Sequence, residues 1–216
     1  MQQAIESFFI DGPAGRLEAI LNQGREGASH AALVCHPHPL FGGTLHTKAV
    51  FHTMKALNSF GFPVLRFNFR GAGLSQGAHD NGEGEVGDVR CALDWLDARC
   101  HLPMICAGFS FGAAVGMRAA CADARVKVVI GVGTPVSPVD RRIYDLQFLK
   151  TCAKPKLFVS GEFDQYGPRA DLEKLMASTA DPKVLVIIKG ADHFFEGRLA
   201  ELRGAIEGWL KGLLAQ

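Results

Sequence analysis

No run of eighteen apolar residues occurs in this sequence, so it offers no helix long enough to span a bilayer. No sign of charge dominates either: 23 basic residues face 22 acidic ones, a net charge of +1. That balance removes the electrostatic case for nucleic acid or an anionic membrane surface, and neither partner is expected. No two cysteines stand in a CxxC spacing. The six are Cys35, Cys91, Cys100, Cys106, Cys121 and Cys152, and two of them sit in apolar runs. They read as free thiols of a reducing compartment rather than a disulfide set. The opening segment "MQQAIESFFIDGPAG" has neither a basic stretch nor a long apolar one, so no signal peptide is expected and the expected location is cytoplasmic. No repeat, low-complexity tract or linker divides the 216 residues, and one domain over 1–216 is expected.

What is present is an alternation. "ESFFI" and "GRLEAIL" suggest an antiparallel hairpin around "DGPAG". Continuous apolar runs follow at 30–35, 63–69, 102–108, 126–132, 155–161 and 183–190. Runs without a polar face suit strands buried on both sides of a parallel sheet. Between them, apolar residues recur at helical spacing. One helix is expected from Thr44, which would cap it, to Gly61, which would end it. Others are expected from Glu83, from Phe111, from Pro168 and over Leu199 to Leu213. Strand–helix alternation of this kind predicts an open, mostly parallel, doubly wound α/β sheet of about eight strands with helices on both faces. Sites in such sheets form at the carboxyl ends of the strands.

Two stretches match G-x-S-x-G, "GLSQG" at 73–77 and "GFSFG" at 108–112. With 25 glycines and eight serines, chance predicts only about 0.1 such matches. Context separates them. Ser110 follows an apolar strand directly and opens a helix, the strand–turn–helix setting of a nucleophile elbow. The helix N-terminus would add positive potential there, and the Phe111 amide could face a developing oxyanion. Ser75 is followed by the polar, glycine-rich "QGAHDNGEG", with no helix beginning. The competing reading of Ser110 is a helix-capping serine.

A serine hydroxyl needs a base, and the base needs an orienting acid. "SGEFDQYG" places Asp164 just after one strand, and "KGADHFFEG" places His193 just after the next. The chain order Ser, Asp, His is one that serine hydrolases of this architecture use. Glu162 is a second candidate acid, Asp192 could instead cap the last helix, and His193 could be a structural histidine.

With "GFSFG", "GEFDQYG" and "GADHFF" in this order, the sequence resembles the α/β-hydrolase superfamily. "CHPHPLFGGT" and "FNFRGAGLSQG" extend the resemblance to small lidless bacterial serine hydrolases related to the dienelactone hydrolases, across nearly the whole chain. Dienelactone hydrolases proper use a cysteine nucleophile where this chain has serine, so their substrate does not carry over. The resemblance implies that the loop after the third strand supplies one oxyanion amide. Pro37 and Pro39 have no N–H to give; His38 is the better positional match and Leu40 the alternative. Arg70 would hold the "RGAGLSQG" loop, with a substrate-carboxylate role as the lesser reading.

The 22 residues between the strands at 126–132 and 155–161 are too few for a separate cap domain. An open site follows, with Phe41, Tyr166 and Phe194 expected to bind substrate and Tyr144 and Phe148 as further lining residues. The expected activity is cleavage of small carboxylic esters without metal or organic cofactor. Thioester or peptide cleavage by the same three residues, or a non-catalytic binding role for the fold, are the alternatives. A zinc site at His36 and His38 would need a third ligand, and Pro39 and Leu40 follow instead. A homodimer is possible through the loop at 134–150 or the last helix.

Overall fold

A computed structural model describes residues 4–138 and 143–215. Its centre is one eight-stranded sheet in the order β1-β2-β4-β3-β5-β6-β7-β8. β1 (Ile5–Gly12) and β2 (Gly15–Asn22) form the expected antiparallel hairpin, and β2 also runs antiparallel to β4 (Val64–Phe67). From there the sheet is parallel: β3 (Ala31–Cys35), β5 (Met104–Phe109), β6 (Val126–Val132), β7 (Lys156–Gly161) and β8 (Lys183–Ile188). The fold is that of an α/β hydrolase.

Among the described residues five α-helices cover the sheet: α1 (Lys48–Ser59), α2 (Glu83–Cys100), α3 (Phe111–Ala122), α4 (Arg169–Ser178) and α5 (Leu199–Leu214). Adjacent residues of the central strands serve opposite cores. Leu33 and Cys35 pack in the cluster with α2 and α3, while Ala32 and Val34 pack in the cluster with α1 and α5. Burial on both faces is why β3, β5 and β7 read as unbroken apolar runs. β8 is only half-buried, as befits an edge.

Several expected boundaries shift, and β5 starts at Met104 rather than 102. α1 starts at Lys48 with Thr47 at its N-cap position, not at Thr44. The 44–47 turn is tied to the sheet instead: the Leu45 N–H donates to Asn68 Oδ1 at 2.8 Å, and Arg66 donates to the Leu45 carbonyl at 2.8 Å. β4 ends at Phe67 rather than 69, because the next two amides leave the parallel ladder for Glu18 and His36. β8 ends at Ile188 rather than 190. The described part of the 133–155 connection carries a single short 3-10 turn, Gln147–Lys150. Residues 139–142 of the loop considered for a dimer face lie outside the described residues.

Candidate active site

The carboxyl ends of β5, β7 and β8 carry the residues singled out in the sequence. Ser110 joins β5 to α3 with φ 56° and ψ −120°, a left-handed backbone in a residue other than glycine. Such a conformation costs on the order of 1–3 kcal/mol and persists only when its surroundings enforce it. Here the Ser110 N–H is held by the Val132 carbonyl at 2.9 Å, and the Ser110 carbonyl accepts from Ala113 at 2.8 Å and Ala114 at 3.2 Å. The side chain makes no capping bond to α3. Its Oγ lies 3.0 Å from His193 Nε2.

His193 Nδ1 lies 2.9 Å from both carboxylate oxygens of Asp164. Asp164 also accepts the Tyr166 and Gly167 amides at 2.9 and 3.1 Å and the Ser160 hydroxyl at 3.1 Å. A carboxylate only accepts, so Nδ1 carries the imidazole proton and Nε2 is left to accept from Ser110. Asp164 and His193 are both buried. The imidazole is wedged between Phe109, at 5.0 Å between ring centres, and Tyr166, at 4.7 Å.

The competing residues are engaged elsewhere. Glu162 accepts the Gly190 amide at 2.8 Å, and Asp192 accepts the Glu196 amide at 3.0 Å in a turn ahead of α5. Ser75 Oγ accepts from the Glu18 amide at 2.9 Å and donates to the Asn68 carbonyl at 2.7 Å. Arg70 is forked onto the buried carboxylate of Asp88, with Nη2 at 2.7 Å and Nε at 3.0 and 3.1 Å. That pairing holds the loop and leaves the guanidinium turned to α2, away from a substrate.

The "HPHPLFGG" stretch forms a turn over the site. Its first histidine lies beneath it. His36 Nδ1 faces the Pro37 carbonyl at 2.6 Å and Nε2 accepts the Phe69 amide at 2.9 Å, so the ring is neutral with its proton on Nδ1. Burial pushes its pKa down to about 3. Among the described residues no three His, Cys, Asp or Glu side chains gather as a metal site. His38 Nδ1 accepts the Leu40 amide at 3.2 Å, which commits the alternative oxyanion donor inward. The His38 ring touches Phe111 and His79, with centres at 5.0 and 4.6 Å, and His79 touches Phe111 at 5.5 Å. The two residues singled out for their amides are thus packed against each other and against one shared ring.

A cavity of about 80 Å³ opens beside Ser110 and His193, lined also by Pro37, His38, Phe41, Tyr144, Tyr166 and Phe194. Phe41 and Phe194 stand 60% and 55% exposed at its rim, so apolar surface surrounds the entrance. Phe148 is absent from the lining and packs instead in the core against α3. The sequence reading missed His79. Its Nδ1 lies 2.7 Å from the fully buried Glu85, which also accepts the Asp80 and Gly82 amides at 2.8 and 2.9 Å. Glutamate three residues into a helix, reaching back to the cap amide, is half of a capping box and was the available signal.

A family profile described as an alpha/beta hydrolase domain matches residues 42–205. An uncharacterized protein of Rickettsia prowazekii is 35% identical over 212 residues, covering 94% of this chain and 87% of that one. The structure of an alpha-beta serine hydrolase homologue from Coxiella burnetii superimposes with a TM-score of 0.86 at 38% identity, over 95% of this chain and 97% of that one. An alpha/beta serine hydrolase without a lid from Xanthomonas campestris does so with a TM-score of 0.85 at 30% identity, over 97% and 94%.

Proposed function

Because the chain belongs to the alpha/beta hydrolase family, we propose that Ser110, His193 and Asp164 are its catalytic triad and that it cleaves small carboxylic esters through an acyl-enzyme. The observation that carries this is the unbroken chain of contacts from Ser110 Oγ to His193 Nε2 at 3.0 Å and from Nδ1 to Asp164 at 2.9 Å. His193 takes the Ser110 proton as the hydroxyl attacks the ester carbonyl. Asp164 fixes the imidazole tautomer and stabilises the imidazolium that forms. His193 then gives the proton to the leaving alcohol, and activates water to release the acid.

The tetrahedral oxyanion is held by the amides of His38 and Phe111. Phe111 is the first residue of α3, where helical N–H groups have no partner within the helix and the dipole favours negative charge. A donor of this kind is worth about 3–4 kcal/mol in the transition state. The engagement of Leu40 with His38 argues for His38 as the second donor.

Substrate size follows from volume. The cavity of about 80 Å³ is far below the roughly 300–1,000 Å³ of pockets that enclose drug-sized ligands. A short acyl chain fits, with Phe41, Tyr166 and Phe194 around it and the alcohol portion lying out over the rim. Among the described residues the lining carries no carboxylate or ammonium to recognise a charged acyl group.

Labelling with a fluorophosphonate, followed by mass spectrometry of the modified peptide, tests the assignment. A single adduct on Ser110 is expected. An adduct on Ser75, or none on folded protein, would overturn it.

A further inference from the structure

Two adjacent phenylalanines follow His193 and end in opposite environments. Phe195 is 0% exposed and packs in the core cluster with α1 and α5, while Phe194 stands 55% exposed at the mouth of the site. The turn that separates them is strained. Phe195 has φ 57°, a left-handed backbone that is rare for a bulky residue. Its N–H donates to the Asp192 carbonyl at 3.3 Å and its carbonyl accepts from the Arg198 amide at 2.9 Å, and these bonds hold it there. With Phe195 anchored in the core, Phe194 is carried outward. Its ring stands edge-on to that of His193, at 5.2 Å between centres, and to the buried Phe109, at 6.1 Å.

The proton path fixes which part of an ester lies beside that ring, a step that rests on the triad proposed above. His193 can hand its proton to the leaving alcohol only if that oxygen comes within about 2.6–3.2 Å of Nε2. The alcohol therefore departs on the His193 side of Ser110. Its neighbours there are Phe194 and the half-buried Tyr166, whose ring centre is 4.7 Å from the imidazole. The other exposed aromatic of the rim, Phe41, packs on His38 at 4.7 Å, on the side proposed to hold the oxyanion. The two rim rings thus serve different parts of the substrate. Among the described residues the cavity lining also has no carboxamide side chain to bind the hydroxyls of a sugar or polyol.

We infer that the alcohol portion of the substrate is apolar, an alkyl or aryl-alkyl chain, and that Phe194 is the residue that selects it. An apolar chain departing past His193 lies against the Phe194 ring and withdraws its exposed surface from water. A polar chain of the same length gives up hydration there without gaining a hydrogen-bonding partner.

Primary alkyl acetates test this, because ethanol and hexanol are leaving groups of nearly equal basicity. Each methylene fully withdrawn from water is worth roughly fourfold, so wild type is expected to cleave hexyl acetate with a kcat/KM at least about tenfold above that of ethyl acetate. The monoacetate of diethylene glycol, equal in chain length to the hexyl ester but polar, should stay near ethyl acetate. Phe194→Ser should bring the hexyl-to-ethyl ratio close to unity, Phe194→Leu should restore most of it, and Phe41→Ser should lower it less. A flat wild-type ratio, a glycol ester cleaved as fast as the hexyl ester, or a ratio lost in Phe41→Ser but kept in Phe194→Ser would overturn the inference. Ser110→Ala separates it from the reading on which it rests. Cleavage that survives this change overturns the triad, whereas cleavage abolished by it together with a flat wild-type ratio overturns the alcohol preference alone.

Discussion

The chain carries the same five-residue pattern twice, and the two copies are built for opposite ends. In "GLSQG" the hydroxyl of Ser75 is spent on both sides, accepting from Glu18 and donating to Asn68. It sews the loop after β4 to β2, and Gln76 continues the seam by exchanging bonds of 2.9 and 2.8 Å with Arg16. In "GFSFG" the backbone of Ser110 is locked by three main-chain bonds, while among the described residues its hydroxyl meets only the histidine Nε2. The first serine contributes stability through its side chain. The second has its side chain kept out of structural work and held in a strained conformation above the sheet. A local motif therefore does not locate a nucleophile; what distinguishes one is a rigid backbone around an uncommitted hydroxyl.

The sharpest way to break this comparison is to remove each hydroxyl in turn. Ser110→Ala is expected to lower kcat/KM for a short-chain nitrophenyl ester by roughly 10⁴-fold or more, with little change in Tm. Ser75→Ala is expected to leave kcat near wild type and to cost about 1–2 kcal/mol in urea denaturation, since the Glu18 amide loses its acceptor. If Ser75→Ala abolished activity without lowering stability, the assignment of roles would be reversed.

Much of this contrast could be read before any coordinates. Unbroken apolar runs gave β3 through β7, because a strand covered on both faces has no polar side, and the run at 183–190 gave β8 as well, although that edge strand is only half-buried. The order of Ser110, Asp164 and His193 placed each after its own strand, and parallel strands bring those ends to one edge. What could not be read lies in contacts made across loops. His79 looked like one polar residue in a glycine-rich stretch, and only the fold lays it against His38 and Phe111. Phe148 and Tyr144 are aromatic neighbours in sequence and both pack against the core, yet only Tyr144 also lines the cavity. The start of α1 was misplaced because the Leu45 amide bonds to Asn68, a partner 23 residues away.

The glycines of the two loops sharpen the comparison at a smaller effect size. A Cβ on Gly112 would lie 2.4 Å from the His36 carbonyl and 2.5 Å from that of Cys35, main-chain atoms that cannot swing aside. Gly112→Ala must move α3 against the end of β3, and so shift the Phe111 amide relative to His38. A displacement of this kind costs on the order of 10² in kcat. Gly73 has φ 52°, and a Cβ there would meet the tips of Asn68 and Glu18. Gly73→Ala is expected to cost about 1–2 kcal/mol in stability through its left-handed backbone, while kcat is kept. Equal losses of kcat in the two variants would show that the loop after β4 also controls the oxyanion site.

At neutral pH no effect is expected at the joint between the two regions, and one emerges only in acid. His36 follows β3 and leads into the proposed oxyanion turn, and its Nε2 accepts the amide of Phe69, which leads into the Ser75 loop. Protonation of Nε2 would place a donor against a donor, and burial already holds the folded pKa at about 3, below the ordinary 6.5. Between those two values the unfolded chain binds the extra proton and the folded one does not. Stability from this group is therefore complete above about pH 6.5 and falls as pH drops towards 3, by at most about 1.4 kcal/mol per pH unit. Urea midpoints of wild type and His36→Gln at a series of pH values measure it. Glutamine can still accept the Phe69 amide through its carbonyl but does not titrate, so its stability should decline less steeply below pH 6.5. Parallel declines would assign the acid sensitivity to other groups and leave the two loops joined by geometry alone.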